Sequence, residues 1–100
     1  MTRARKSTIT KIATRSATGT LPVAVIGQVL REARQQRGLT QGQLARPFSA
    51  AFVCSVELGN TMPSLASLAI LLGRLGISLA DFFTEVERRA ETFSQSAANA

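Results

Sequence analysis

The stretch from Leu39 to Ser64 constrains the fold more than any other, because it carries the start and stop signals of two short helices in succession. Thr40 can accept a hydrogen bond from a backbone N–H group at the start of a helix, and Gln43 lies three residues later, as a capping box requires. Pro47 ends this helix, because proline lacks the N–H group and disfavours helical geometry in the residue before it. A short helix between Thr40 and Pro47 is therefore predicted.

A second set of helix signals follows immediately. Ser49 is a candidate cap, and the apolar run at 50–58 carries Val53 and Val56 at the three-residue spacing of one helix face. Gly59 closes the run, since glycine readily adopts the left-handed conformation in which many helices end. Two helices of about two turns with so short a link predict a helix-turn-helix.

Apolar residues at three- and four-residue spacing predict three further helices. The first helix of the chain covers about residues 23–37 and ends at Gly38. The fourth follows a cap at Ser64 and ends at Gly76, and the fifth follows a cap at Ser78. The expected architecture is a compact, all-α, five-helix domain over 21–93, between a flexible basic arm at 1–20 and a disordered tail at 94–100.

Five sequence pieces, in this order, resemble the phage-repressor and Cro-like, or XRE-type, helix-turn-helix family. They are IGxxLxxAR at 26–34, GLTQxxLA at 38–45, SxxxVxxVExG at 49–59, Pro-Ser-Leu at 63–65 and LGISLADFF at 75–83. The resemblance implies a lambda-repressor-like fold and a transcriptional regulator, a repressor, that binds double-stranded DNA. It also implies that the third helix, at about 50–58, enters the major groove.

The resemblance further implies where the DNA contacts lie. It places four residues of the third helix against the base edges: Ala50, Ala51, Phe52 and Ser55. It places five residues near the phosphates: Gln41, Arg46, Ser49, Asn60 and Thr61. Paired hydrogen bonds with purine edges need Arg, Lys, Asn or Gln, and the third helix has none of these. We therefore expect weak direct discrimination between base sequences and a larger part for DNA shape.

A structural ion pair is also implied by the resemblance, because the positions of Arg34 and Glu57 hold paired charges in the family. A planar guanidinium group can hold a carboxylate with two parallel hydrogen bonds and so join the first helix to the third. The link between the second and third helices is shorter than is usual in the family, since it consists only of Arg46, Pro47 and Phe48. We expect a tighter turn, an altered angle of the third helix, and Phe48 in the core between the two helices.

The formal net charge is +6 and is unevenly distributed. The first twenty residues contain no acid and carry five cations: Arg3, Arg5, Lys6, Lys11 and Arg15. A basic arm of this kind can follow DNA phosphates or enter the minor groove. The same composition is also typical of an ordinary unstructured leader and, less closely, of a transit peptide.

Several classes of protein are disfavoured by composition. The chain has no His and a lone Cys54, which excludes the common zinc sites and His-based acid–base catalysis. It also lacks a glycine-rich phosphate loop, so we expect neither an enzyme nor a bound metal or cofactor. No apolar run is long enough to cross a bilayer and no secretory pattern is present, so we expect a cytoplasmic protein. The resemblance implies that it is a nucleoid-associated protein of a bacterium or phage.

The fifth helix carries an apolar stripe formed by Phe82, Val86 and Phe93. This stripe either folds back on the core or forms the contact of a homodimer, since small helical DNA readers are often two-fold dimers. The alternative function is a protein-interaction module, or an antitoxin-like accessory regulator, in which the apolar third helix binds a protein partner.

Overall fold

Five α-helices form the part of the chain described by the computed structural model, which covers the backbone of residues 22–99 and the side chains of residues 22–92. They are α1 (Val23–Gln36), α2 (Gln41–Ala45), α3 (Ala50–Glu57), α4 (Leu65–Leu75) and α5 (Leu79–Asn99). The prediction of an all-α, five-helix domain is confirmed. The basic arm predicted at 1–20 lies outside the described residues, and α5 runs on into the segment predicted as a tail. None of the described helices is by itself long and apolar enough to cross a bilayer.

Side-chain caps determine where four of these helices begin. The hydroxyl oxygen of Thr40 accepts a hydrogen bond from the backbone N–H of Gln43 at 3.0 Å, and Gln43 Oε1 accepts one from the backbone N–H of Thr40 at 2.8 Å. This is the complete capping box that the spacing predicts. The helices α3, α4 and α5 begin with the same kind of serine cap, formed by Ser49, Ser64 and Ser78.

The core is built from the inner faces of all five helices. Its fully buried large side chains are Ile26, Leu30, Leu44, Val53, Val56, Leu71, Leu72, Phe82 and Val86. Phe48, from the short turn, packs against this core as predicted.

The two α5 residues of the predicted dimer contact are among these buried side chains. Phe82 is 1% exposed and Val86 is 0% exposed, because α5 packs across α1 and completes the core of its own chain. The prediction that they form a dimer contact is therefore wrong. The side chain of Phe93, the third residue named for that contact, lies outside the described part.

Charged side chains hold the outer edge of α5 on α1. Arg89 donates to both oxygens of Glu32, at 2.7 and 3.1 Å, and its Nε donates to Glu85 at 2.6 Å. Arg88 also donates to Glu85, and hydrogen bonds from Arg88 and Arg89 lower the pKa of Glu85 to about 2. The pair of Glu32 with Arg89 thus fixes α5 to α1, and Glu85 holds the arginine from within α5.

A second ion pair joins α1 to α3. Arg34 Nε donates to Glu57 Oε2 at 2.7 Å and Arg34 Nη2 donates to Glu57 Oε1 at 3.1 Å. Arg34 Nη1 donates to the carbonyl of Leu39 at 2.7 Å, and the side-chain amide of Gln41 donates to Glu57 Oε1 at 3.0 Å. Glu57 is the one buried charged residue of the described chain. Its carboxylate therefore ties three elements together: α1, α2 and α3.

Replacing Arg34 with Ala should destabilise the protein by about 3–5 kcal/mol, because the substitution leaves the carboxylate of Glu57 buried without its cation. The measurement is a urea unfolding midpoint followed by circular dichroism. The exposed pair of Arg88 with Glu85 offers a control, and Arg88→Ala should leave the midpoint close to that of the wild type.

Removing both charges of the buried pair tests whether the unpaired carboxylate of Glu57 causes the loss of stability in Arg34→Ala. The double variant Arg34→Met with Glu57→Leu should recover part of the stability lost in Arg34→Ala, because no bare charge remains in the interior. A urea midpoint for Arg34→Ala equal to that of the wild type would show that the pair does not contribute to the stability of the fold.

Candidate nucleic-acid interface

Glycine at two positions allows the end of α3 to lie directly against α1. A Cβ atom at Gly27 would lie 2.3 Å from the carbonyl oxygen of Val56 and 2.7 Å from that of Glu57, so only glycine fits this backbone contact. Gly59 follows α3 with a φ of 80°, and a Cβ atom there would lie 3.1 Å from the Cα atom of Ala24. The C-terminal turn of α3 is therefore fixed by backbone contact and by the Glu57 ion pair.

The outward face of α3 is small and apolar. Ala50 and Ala51 are exposed, and Phe52 and Ser55 are half-buried. The ring of Phe52 lies with its centroid 5.2 Å from that of Phe48, and both rings pack against the core. Ser55 is hydrogen-bonded through its hydroxyl group to the hydroxyl of Thr61. What α3 offers to solvent is thus two methyl groups and part of an aromatic ring.

Three of the five residues predicted to contact phosphates are exposed: Arg46, Ser49 and Asn60. The other two, Gln41 and Thr61, are half-buried and use their side chains within the protein, on Glu57 and on Ser55 respectively. The predicted phosphate contacts that are exposed at the ends of α2 and α3 are thus one cation, Arg46, and two short polar side chains, those of Ser49 and Asn60.

A cation that sequence reasoning missed lies beside this turn. Arg74, near the end of α4, is exposed and donates from Nη2 to the carbonyl of Arg46 at 3.1 Å. The two arginines are separated by 28 residues, so no local pattern could have joined them. The turn between α2 and α3 therefore carries two guanidinium groups, one on the turn and one on α4.

The segment that forms α2, α3 and α4 is nearly free of acidic side chains. Between Ala33 and Ala80 the sequence contains a single acid, Glu57, and that residue is buried and paired with Arg34. The other acids of the chain lie on α1 and α5. The elements α2, α3 and α4 therefore expose cations but no carboxylate, which is the electrostatic footprint expected of a surface that meets a polyanion.

Metal chemistry finds no support among the described residues. They contain no group of three His, Cys, Asp or Glu side chains that could hold a metal ion. The thiol of Cys54, on α3, is half-buried and free. The chemistry that this surface offers is therefore apolar contact, charge and a few hydrogen bonds.

Comparisons with known proteins agree with this arrangement. No family model matches the chain. The HTH-type transcriptional regulator PuuR of Escherichia coli strain K12 is 34% identical over 67 residues, which are 65% of this chain and 36% of that protein. PuuR of Shigella flexneri matches equally well. The chain thus spans about a third of the length of the curated relatives that it matches.

A solved structure extends the likeness to three dimensions. The crystal structure of the clp gene regulator ClgR from Corynebacterium glutamicum is similar with a TM-score of 0.67 and 30% sequence identity. The match covers 79% of this chain and 83% of that one. The fold and the sequence therefore point to the same group of proteins.

Replacing Gly27 with Ala should destabilise the protein by about 1–3 kcal/mol, or more, because the added methyl group overlaps backbone atoms of α3 that have no freedom to move aside. The measurement is again the urea midpoint. We also expect the variant to bind DNA less well than its loss of stability explains, since the methyl group displaces α3.

Gly73, in α4, provides the matched control. A Cβ atom there would meet no heavy atom within 4 Å, so Gly73→Ala should stabilise the protein by about 1 kcal/mol through helix propensity alone. The same substitution at the two positions is thus expected to change stability in opposite directions. A Gly27→Ala variant as stable as the wild type would contradict the close contact between α1 and α3.

Proposed function

The chain belongs to the XRE-like helix-turn-helix family of transcriptional regulators, and on this premise we propose that it is a DNA-binding repressor that inserts α3 into the major groove. The observation that carries the proposal is the exposed start of α3 on a group of helices, α2 to α4, that exposes no carboxylate. Duplex DNA carries about one negative charge per 1.7 Å, so an uncompensated acid on this surface would oppose binding strongly. A cytoplasmic, nucleoid-associated location follows from the same proposal.

Affinity would come mainly from the phosphates. Arg46 and Arg74 lie at the edge of α3, and the five cations of the arm at 1–20 add to them. Each phosphate that a cation neutralises releases condensed counterions, so the binding constant should fall steeply as salt is raised. Sequence discrimination would be weaker and would draw on DNA shape as well as on base contacts.

The alternative function, a protein-interaction module that uses α3, is less well supported by the geometry. The largest apolar group of that helix face, Phe52, is half-buried against Phe48 and the core, which leaves mainly Ala50 and Ala51 to meet a partner. Protein interfaces depend on a few large buried side chains, which this face does not offer.

A different surface carries the exposed large apolar side chains. They are Leu58, Met62, Leu65 and Ile70, which are 64%, 44%, 63% and 45% exposed. We infer that they form one surface, which we call the apolar face. Ala66, Ala69 and Gly73 are also exposed on α4, so its outward side has neither a charge nor a hydrogen-bonding group between Leu65 and Gly73 apart from the half-buried Ser67.

We propose that a second copy of the chain covers the apolar face. A two-fold axis brings the same patch of both subunits together, and an uncharged patch can meet its own copy without like charges facing each other. Leu58 follows α3 directly and Met62 lies in the next loop, so this contact would also set the distance between the two α3 helices on DNA. A two-fold site requires half-sites about 34 Å apart.

Replacing Ala51 with Glu should abolish binding to duplex DNA, because the carboxylate would lie against base edges and phosphates. The measurement is fluorescence anisotropy with a random duplex pool across a salt series. The control is Ala80→Glu, which adds the same charge at an exposed site on α5 and should change binding little. Arg46→Ala should lower the slope of log K against log salt by about 0.9.

Wild-type protein that binds no duplex even at low salt would overturn the DNA-binding proposal. An Ala51→Glu variant that binds as tightly as Ala80→Glu would place the interface elsewhere on the molecule.

Replacing Ile70 with Glu should convert a dimer to a monomer, because it would bury two like charges at the two-fold contact. Sedimentation velocity over a concentration series, with and without DNA, measures this, and Ala80→Glu again controls for charge. The proposal fails if the wild type stays monomeric in both conditions, or if Ile70→Glu dimerises normally. In the first case the apolar face would belong to a different protein partner.

A further inference from the structure

The outward face of α3 has the chemistry of a methyl reader. Resting on the proposed DNA-binding function, we infer that α3 recognises the C5-methyl groups of pyrimidines in the major groove, those of thymine and of 5-methylcytosine. A helix that reads bases by hydrogen bonding would need free donors or acceptors on this face. In this structure the polar side chains of α3 have partners within the protein.

The polar groups of α3 are already engaged within the protein. The carboxylate of Glu57 is buried and holds Arg34 and Gln41. The hydroxyl of Ser55 is bonded to that of Thr61. No amide, guanidinium or ammonium group stands on the helix Ala50–Glu57. The paired hydrogen bonds that distinguish purines are therefore not available from α3.

Exposed small side chains extend from α3 to the start of α2. Ala50 and Ala51 present their methyl groups to solvent, and Gly42, also exposed, lies beside Ala50. A Cβ atom at Gly42 would come no nearer than 4.0 Å to any other atom, so internal packing does not require glycine there. Because these side chains are small, the starts of α2 and α3 can approach the base edges closely.

The aromatic ring next to these methyl groups is held in place. Phe52 stacks at a tilt of 44° on Phe48, and both rings are anchored on the core. Phe52 directly follows Ala51, and its half-buried ring adds apolar surface to this part of α3. Apolar surface that covers a methyl group excludes water from it and so increases the gain from apolar contact.

Among unmodified bases, the C5-methyl group of thymine is the apolar feature of the major groove. Cytosine carries hydrogen at C5, and 5-methylcytosine restores a methyl group there. Uracil pairs like thymine but lacks the methyl group. An alkyl surface should therefore prefer thymine over uracil, and 5-methylcytosine over cytosine.

The test compares random duplex pools that differ only in these methyl groups, with full-length wild-type protein. One pool is made with thymine, one with uracil in its place, and one with uracil and with 5-methylcytosine in place of cytosine. We expect binding to the uracil pool to be weaker by about fourfold for each methyl group contacted, the effect of burying one such group. The third pool should recover part of that loss if 5-methylcytosine is accepted.

Three variants link the effect to α3. Ala51→Gly should bring the ratio of affinities for the thymine and uracil pools closer to one. Ala80→Gly makes the same change at an exposed site on α5 and should leave the ratio unaltered. Arg46→Ala should weaken binding to both pools by the same factor, because a phosphate contact does not depend on the base.

Equal binding of wild-type protein to the thymine and uracil pools overturns the inference while the DNA-binding proposal stands. Binding to no pool at low salt overturns both. If the uracil pool is weaker but 5-methylcytosine gives no recovery, the reading is restricted to thymine and the 5-methylcytosine part is wrong.

Discussion

The contact between α1 and the C-terminal turn of α3 is the constraint on which the rest of the structure depends. At Gly27 the two backbones touch, and about two helical turns further along α1 the guanidinium of Arg34 holds the carboxylate of Glu57. Both contacts act on the same end and inner side of α3. Because α3 is held there, Ala50 and Ala51 at its start are exposed on a helix whose other end is fixed, and a surface of this kind can read a rigid partner such as duplex DNA.

Charge segregation follows from how the helices are attached. Glu32 accepts hydrogen bonds from Arg89 and so holds α5 on α1, Glu85 pairs with the same arginine within α5, and the acid of α3, Glu57, is paired with Arg34 in the interior. The ion pair of Glu57 with Arg34 thus also neutralises the carboxylate of α3 at the candidate interface. The cations Arg46 and Arg74 make no ion pair with a carboxylate within the described range, so their charge remains available.

Sequence patterns were informative where a structure depends on neighbouring residues. The capping box of Thr40 and the serine caps involve groups three residues apart, so spacing alone predicts them. The direction of the α5 stripe was not predictable in this way, because an apolar helix face looks the same whether it meets its own core or a second copy. Arg74 escaped notice for a related reason, since its partner is distant in sequence and becomes a neighbour only through the packing of α4 against α2.

The composition of α3 sets how specificity can arise. A bidentate contact from Arg or Asn distinguishes bases by about 1–3 kcal/mol, whereas covering one methyl group contributes about 0.8 kcal/mol. A helix that offers only alkyl groups must therefore combine several weak contacts, or repeat them on a second half-site, to reach the discrimination of one arginine. Such a protein would favour sites in which methyl-bearing pyrimidines and an easily deformed duplex occur together, because each makes up for the small energy of the other. Under the proposed function the cations would supply affinity, the fixed end of α3 would set its position, and the methyl groups of Ala50 and Ala51 would supply the remaining selectivity.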